Sequence, residues 1–83
     1  MNWKGGKRKM IEISVEDFRH IISRLLDNAR DATEELRKDK SNLFMEGVCQ
    51  GYYEALDTLQ SELYVADVDL NKIGFDVDLL NDI

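Results

Sequence analysis

Arg37-Lys38-Asp39-Lys40-Ser41-Asn42-Leu43, read as RKDKSNL, is the stretch on which the fold turns. If helix runs through it, the chain is one long rod. If helix stops there, two matched helices fold back on each other. No glycine or proline interrupts the stretch, and the chain contains no proline at all. Charge and capping still favour a break. Arg37, Lys38 and Lys40 place positive charge where a helix C-terminus is negative, and Ser41-Asn42 supplies side-chain oxygens able to start a new helix. The expectation is an antiparallel hairpin with a short polar connection.

Upstream, Ser14 is a good N-cap with Asp17 three residues on, and Glu16 and Asp17 suit the positive end of a helix dipole. Val15, Phe18, Ile22, Leu25, Ala29, Ala32 and Leu36 then step by three and four, a heptad stripe flanked by Ile21 and Leu26. Downstream, Met45, Val48, Tyr52, Ala55, Leu56, Leu59, Leu63 and Ala66 share one side of a second helix. Helices at 15–38 and 42–66 would each run about 36 Å at about 1.5 Å per residue. Before them, residues 1–10 read as a flexible basic arm, and Ile11, Ile13 and Val15 alternate with polar residues as a short extended segment.

The tail, residues 67–83, is acidic and changes character. Val68/Leu70 and Ile73/Phe75/Val77 alternate with polar residues, which favours extended or turn structure, while Leu79-Leu80 suits a last helical turn. Pairing of Ile11–Ile13 with Ile73–Val77 as a ribbon is the less favoured alternative, because two strands alone are barely stable in water. The fold class expected is thus mainly α: a two-helix hairpin over 11–66 with an irregular acidic tail.

A chain of 83 residues hides only about 60% of its unfolded surface. Its one cysteine forms no internal disulfide, and no paired Cys/His spacing suits zinc. Self-association is the remaining source of stability, so the hairpin is expected to complete its core as a homodimeric four-helix bundle. No apolar run approaches the roughly 20 residues that span a bilayer, and no signal-peptide pattern appears, so no membrane contact and a cytoplasmic location are expected.

The net charge of −6 argues against a nucleic-acid binder with a wholly cationic surface. The charge is unevenly spread. Lys4, Lys7, Arg8 and Lys9 stand at the start with no acid among them, while Glu54, Asp57, Glu62, Asp67, Asp69, Asp76, Asp78 and Asp82 face only Lys72 in the last part. A basic head and an acidic tail attract each other within or between molecules.

The segment Glu46-Gly47-Val48-Cys49-Gln50-Gly51-Tyr52-Tyr53-Glu54-Ala55-Leu56 carries two glycines four apart around the only cysteine. Glycine inside a helix costs about 1 kcal/mol relative to alanine, so a compensating contact is expected. Gly47 and Gly51, with Ala29, Ala32 and Ala55, are read as small residues at a close helix crossing within the fold or a dimer. Cys49 falls on the opposite margin of the stripe, as a small core filler. The single His20 lies on the charged side of the first helix, so no Cys–His couple forms and no catalytic, cofactor-binding or metal-binding residue is expected. Asp67-x-Asp69-x-Asn71 begins like a calcium loop, but Lys72 replaces the required glycine and Gly74 stands where an apolar residue belongs. Tyr53 and Tyr64 project to the polar side of the second helix as candidate partner-facing residues. Trp3, Lys4, Lys7, Arg8 and Lys9 are candidate nucleic-acid contacts, an aromatic ring among cations.

Leu43-Phe44-Met45-Glu46-Gly47, Tyr52-Tyr53-Glu54-Ala55-Leu56 and Asp69-Leu70-Asn71-Lys72-Ile73-Gly74 together give an order of features that resembles small uncharacterised helical proteins carried by phages and mobile elements of Gram-positive bacteria. Those show an E-G-x-x-x-x-Y-Y-E-x-L helix followed by a D-L-x-x-I-G segment. The resemblance spans about half the chain. It implies a helical hairpin and a host-interaction or accessory role, and it carries over no activity and no site. The function expected is that of a non-enzymatic protein–protein interaction or regulatory accessory protein acting through a helix face. Two alternatives stand beside it. One is a nucleic-acid-associated regulator using the basic arm, and the other is an acidic decoy that occupies the cationic groove of a nucleic-acid-binding protein.

Overall fold

The computed structural model describes residues 12–83. The break at RKDKSNL forms. Helix α1, Val15–Lys38, and helix α2, Leu43–Val65, pack against each other as a hairpin, and a single turn, α3, Leu79–Asp82, closes the tail. The basic arm and Ile11 lie outside the described residues. Among those described there is no strand, and Leu70 to Gly74 form turns, so the ribbon does not appear on the tail's side.

Asp39 explains how the helix stops without glycine or proline. Its backbone is extended, at φ −146°, and its N–H donates to the carbonyls of Glu35 and Leu36. Its carboxylate accepts from the Ser41 hydroxyl at 2.6 Å and from the Ser41 amide at 3.1 Å. A short polar side chain thereby offers the backbone an alternative to helix. The same two hydrogen bonds, the hydroxyl's first, hold Asp39 below its ordinary value of 3.8. Asn42 then caps α2 by accepting from the Met45 amide at 3.0 Å, as Ser14 caps α1 by accepting from Asp17.

The tail is built from one turn motif used twice. At the end of α2, Val68 N–H donates to Leu63 and Asp67 N–H to Tyr64, with Asp67 in the left-handed region at φ 67°. Seven residues later Phe75 N–H donates to Leu70 and Gly74 N–H to Asn71, with Gly74 at φ 70°. Each is the paired-bond ending of a helical turn, in which one left-handed residue reverses the chain and drives the next side chain back against the turn's start. Val68 and Phe75 are those next side chains, and they reach the core with Leu63 and Leu70.

The core is therefore three-sided. Ile22, Leu26 and Ala29 come from α1, Leu56 from α2, and Ile73, Phe75 and Leu79 from the tail. Phe75 is fully buried, the largest side chain to be so among the described residues. The tail lies in the seam on one side of the hairpin and is tied there at both ends. Arg19 donates to the carbonyl of Lys72 at 2.9 Å, and Arg30 donates to that of Asp82 at 2.8 Å. Midway, the Gln60 amide donates to the carbonyls of Phe75 and Val77, at 2.8 and 2.9 Å. The four-helix-bundle expectation assigned both apolar ridges to a second copy. On this side the chain's own tail takes that place.

Candidate functional site

The hairpin has two flanks, and the tail covers one. On the covered flank, Leu26 meets Ile73 and Val77 beneath Arg19 and Arg30. Farther along, Leu36, Cys49, Tyr53, Leu79 and Ile83 line one open cleft between hairpin and tail. Tyr53 is accordingly half-buried and packed on the core, which corrects its reading as an outward, partner-facing residue. Tyr64 is 73% exposed.

The open flank carries the opposite edge of the same apolar stripes. Ile21 is 46% exposed on α1 and Phe44 77% exposed on α2. At about 100° per residue, Phe44, Val48, Gly51 and Ala55 share one stripe of α2. Gly47, Gly51 and Ala55 are exposed, and a Cβ on either glycine would meet no atom within 4 Å. The crossing of α1 and α2 therefore does not use them, which corrects the expectation of a close helix approach at these three residues within the fold. Ala29 and Ala32 are buried on α1.

The polar candidates are occupied locally. Asp67 ends α2, and Asp69 accepts from the Asn71 amide at 3.1 Å while the Asn71 side chain donates to Asp76 at 3.0 Å. Asp78 caps α3 by accepting from the Leu80 amide and the Asn81 side chain. The calcium-like spacing thus serves turns and a cap. Among the described residues no group of three or more His, Cys, Asp and Glu side chains is placed to hold a metal ion. His20 is exposed, and Cys49 lies on the tail-covered flank. Trp3, Lys4, Lys7, Arg8 and Lys9 lie outside the described residues.

Among the described residues the ion pairs fall in one element. Arg30–Asp27, Arg37–Glu34 and Lys38–Glu35 are all exposed pairs within α1. None of the acids of α2 and the tail has an ion-pair partner among the described residues. Three residues that hold the tail in place, Arg19, Arg30 and Gln60, carried no signal in the sequence. The two arginines look like members of a charged helix face, and Gln60 like an ordinary polar position. Their carbonyl partners lie at sequence distances of 53, 52 and 15 to 17 residues.

No helix among the described residues is long and apolar enough to cross a membrane. No family model matches the chain, and neither a curated protein nor a solved structure shows significant similarity to it.

Proposed function

We propose that this protein is a non-enzymatic interaction protein that works through the open flank of its hairpin, first by joining a second copy of itself and then by presenting the combined helices to a protein partner. One observation carries the reading: the flank away from the tail leaves Ile21 and Phe44 exposed beside half-buried Leu25, Val48, Tyr52 and Leu59. Large apolar side chains left exposed along the same flank of two helices are the kind of surface that other proteins cover. The glycine-bearing margin of α2, where a Cβ on Gly47 or Gly51 would meet no atom within 4 Å, would let a second helix approach closely. An accessory role in a phage or mobile element agrees with the resemblance of the helix and tail motifs.

Sedimentation over a range of concentrations tests it. The wild-type chain should associate as concentration rises. Ile21→Asp with Phe44→Asp should remain monomeric while keeping its helix content. A wild-type chain that stays monomeric throughout, with partner capture indifferent to the double variant, would refute the reading. The acidic-decoy alternative draws on the unpaired carboxylates of α2 and the tail, and reversing Asp57, Asp69 and Asp76 to lysine separates it. That change should abolish capture of a cationic partner and leave self-association through the open flank intact.

A further inference from the structure

Where α2 ends, a cavity of about 290 Å³ is lined by Gln60, Ser61, Tyr64, Val65 and Leu70. Its apolar walls are poorly covered, with Tyr64 73% and Val65 77% exposed. Carboxylates stand close to its lining in the chain. Asp57 precedes Ser61 by one turn on the same face, and Asp67 and Asp69 lead into Leu70. None of these acids has an ion-pair partner among the described residues. An apolar pocket in a field of unpaired negative charge fits an aromatic side chain carried on a basic segment, since the ring fills the pocket while the cations relieve the repulsion.

Such a segment belongs to the chain itself. Residues 1–9 hold Trp3 with Lys4, Lys7, Arg8 and Lys9, and they join the described structure at the start of α1. Because the hairpin is antiparallel, that start stands at the same end as the close of α2. The bond from Arg19 to the Lys72 carbonyl fixes the second tail turn, which begins at Leu70, beside it. From Trp3 to the start of the described structure, nine residues extend to about 30–32 Å at 3.3–3.6 Å each, against about 8–10 Å between packed helix axes. The arm therefore reaches the cavity with length to spare.

We propose that residues 1–9 dock on their own chain, with Trp3 seated in the cavity of Gln60, Ser61, Tyr64, Val65 and Leu70 and the four cations set against these carboxylates. The site is on the tail's side of α2, so it stands apart from the open flank. It also makes the arm's availability to any nucleic acid depend on its release from the acids of its own chain.

Trp3 is the only tryptophan, so its fluorescence in the full chain reports on the arm alone. The wild type should show emission shifted to the blue of a free indole amide and several-fold weaker quenching by acrylamide. Tyr64→Ser with Val65→Ser removes the walls at exposed positions, so helix content should persist while quenching rises to the free-indole level. Asp57→Lys with Asp69→Lys should raise quenching by a smaller factor. About 1 M salt, where the Debye length falls to about 3 Å, should bring the wild type toward that charge variant. Three results would overturn the proposal. These are fully hydrated emission in the wild type, protection unaltered by the Tyr64/Val65 change, and protection lost on dilution, which would mean that the arm is exchanged between copies.

Discussion

Ile21 and Leu26 flank the same apolar stripe of α1, one on each side, yet Ile21 keeps 46% of its surface and Leu26 only 4%. Both are large aliphatic residues beside Ile22 and Leu25, and the small difference in helix propensity between isoleucine and leucine does not set exposure. What separates them lies some fifty residues downstream, where Ile73 and Val77 settle over Leu26. The two flanks of the hairpin are thus unequal because a separate segment chose one of them. Burial at a stripe's margin is decided by tertiary partners, and the stripe itself specifies only the centre.

The comparison breaks most sharply at Phe75. Phe75→Ala should cost about 3–5 kcal/mol, the usual toll of emptying a fully buried aromatic site. That is a large share of the 5–15 kcal/mol that small domains have. The matching change on the open flank, Ile21→Ala, should stay within about 0.5 kcal/mol when the chain is monomeric. Urea melts of the two variants at low concentration test the contrast directly. Equal losses would mean that the tail is not the dominant cover. Next in size is Gln60→Ala, which strips the donor from the Phe75 and Val77 carbonyls and should cost about 2 kcal/mol, since partly buried acceptors lose their partner. Hydrogen exchange at the tail amides should rise in this variant more than exchange in the middle of α1.

The hairpin and its turn were legible in the sequence because their causes are local. Ser14, Asn42 and the cations of the last α1 turn act within a few residues. The alternation of Ile73, Phe75 and Val77 was legible too, as extended or turn structure with a strand pairing the lesser alternative. Turns form because Gly74 places a left-handed residue before Phe75, ending a turn that begins at Leu70. Gly74 was noticed for spoiling a calcium loop, while its value as a turn residue went unread. The glycines of α2 show the limit of the same local reading within the fold. A pair four apart raises the thought of close packing, but the side of the helix that packs is fixed by where α1 and the tail sit.

The two left-handed residues offer a finer comparison, since one motif is closed by glycine and the other by aspartate. Gly74→Ala should lose about 1–2 kcal/mol through the left-handed backbone alone, because a Cβ there would meet Arg19 only at an ordinary 3.7 Å. Asp67→Gly should gain about 0.5–1 kcal/mol by relieving the same strain at the end of α2. Thermal melts that moved both variants in one direction would show that the two turns are not equivalent.

The smallest effects lie on the open flank and carry information beyond their size. Gly47→Ala and Gly51→Ala each add a methyl group to empty space. Each should stabilise the single chain by up to about 1 kcal/mol, the helix preference of alanine over glycine. If a second copy brings a helix against this margin, the same methyl groups would hold the two backbones apart. Stability should then rise with the substitutions at low protein concentration and the gain should shrink or reverse as concentration increases. A gain independent of concentration, in a chain that still self-associates, would place the contact between copies elsewhere on the flank and leave the glycines without a packing role.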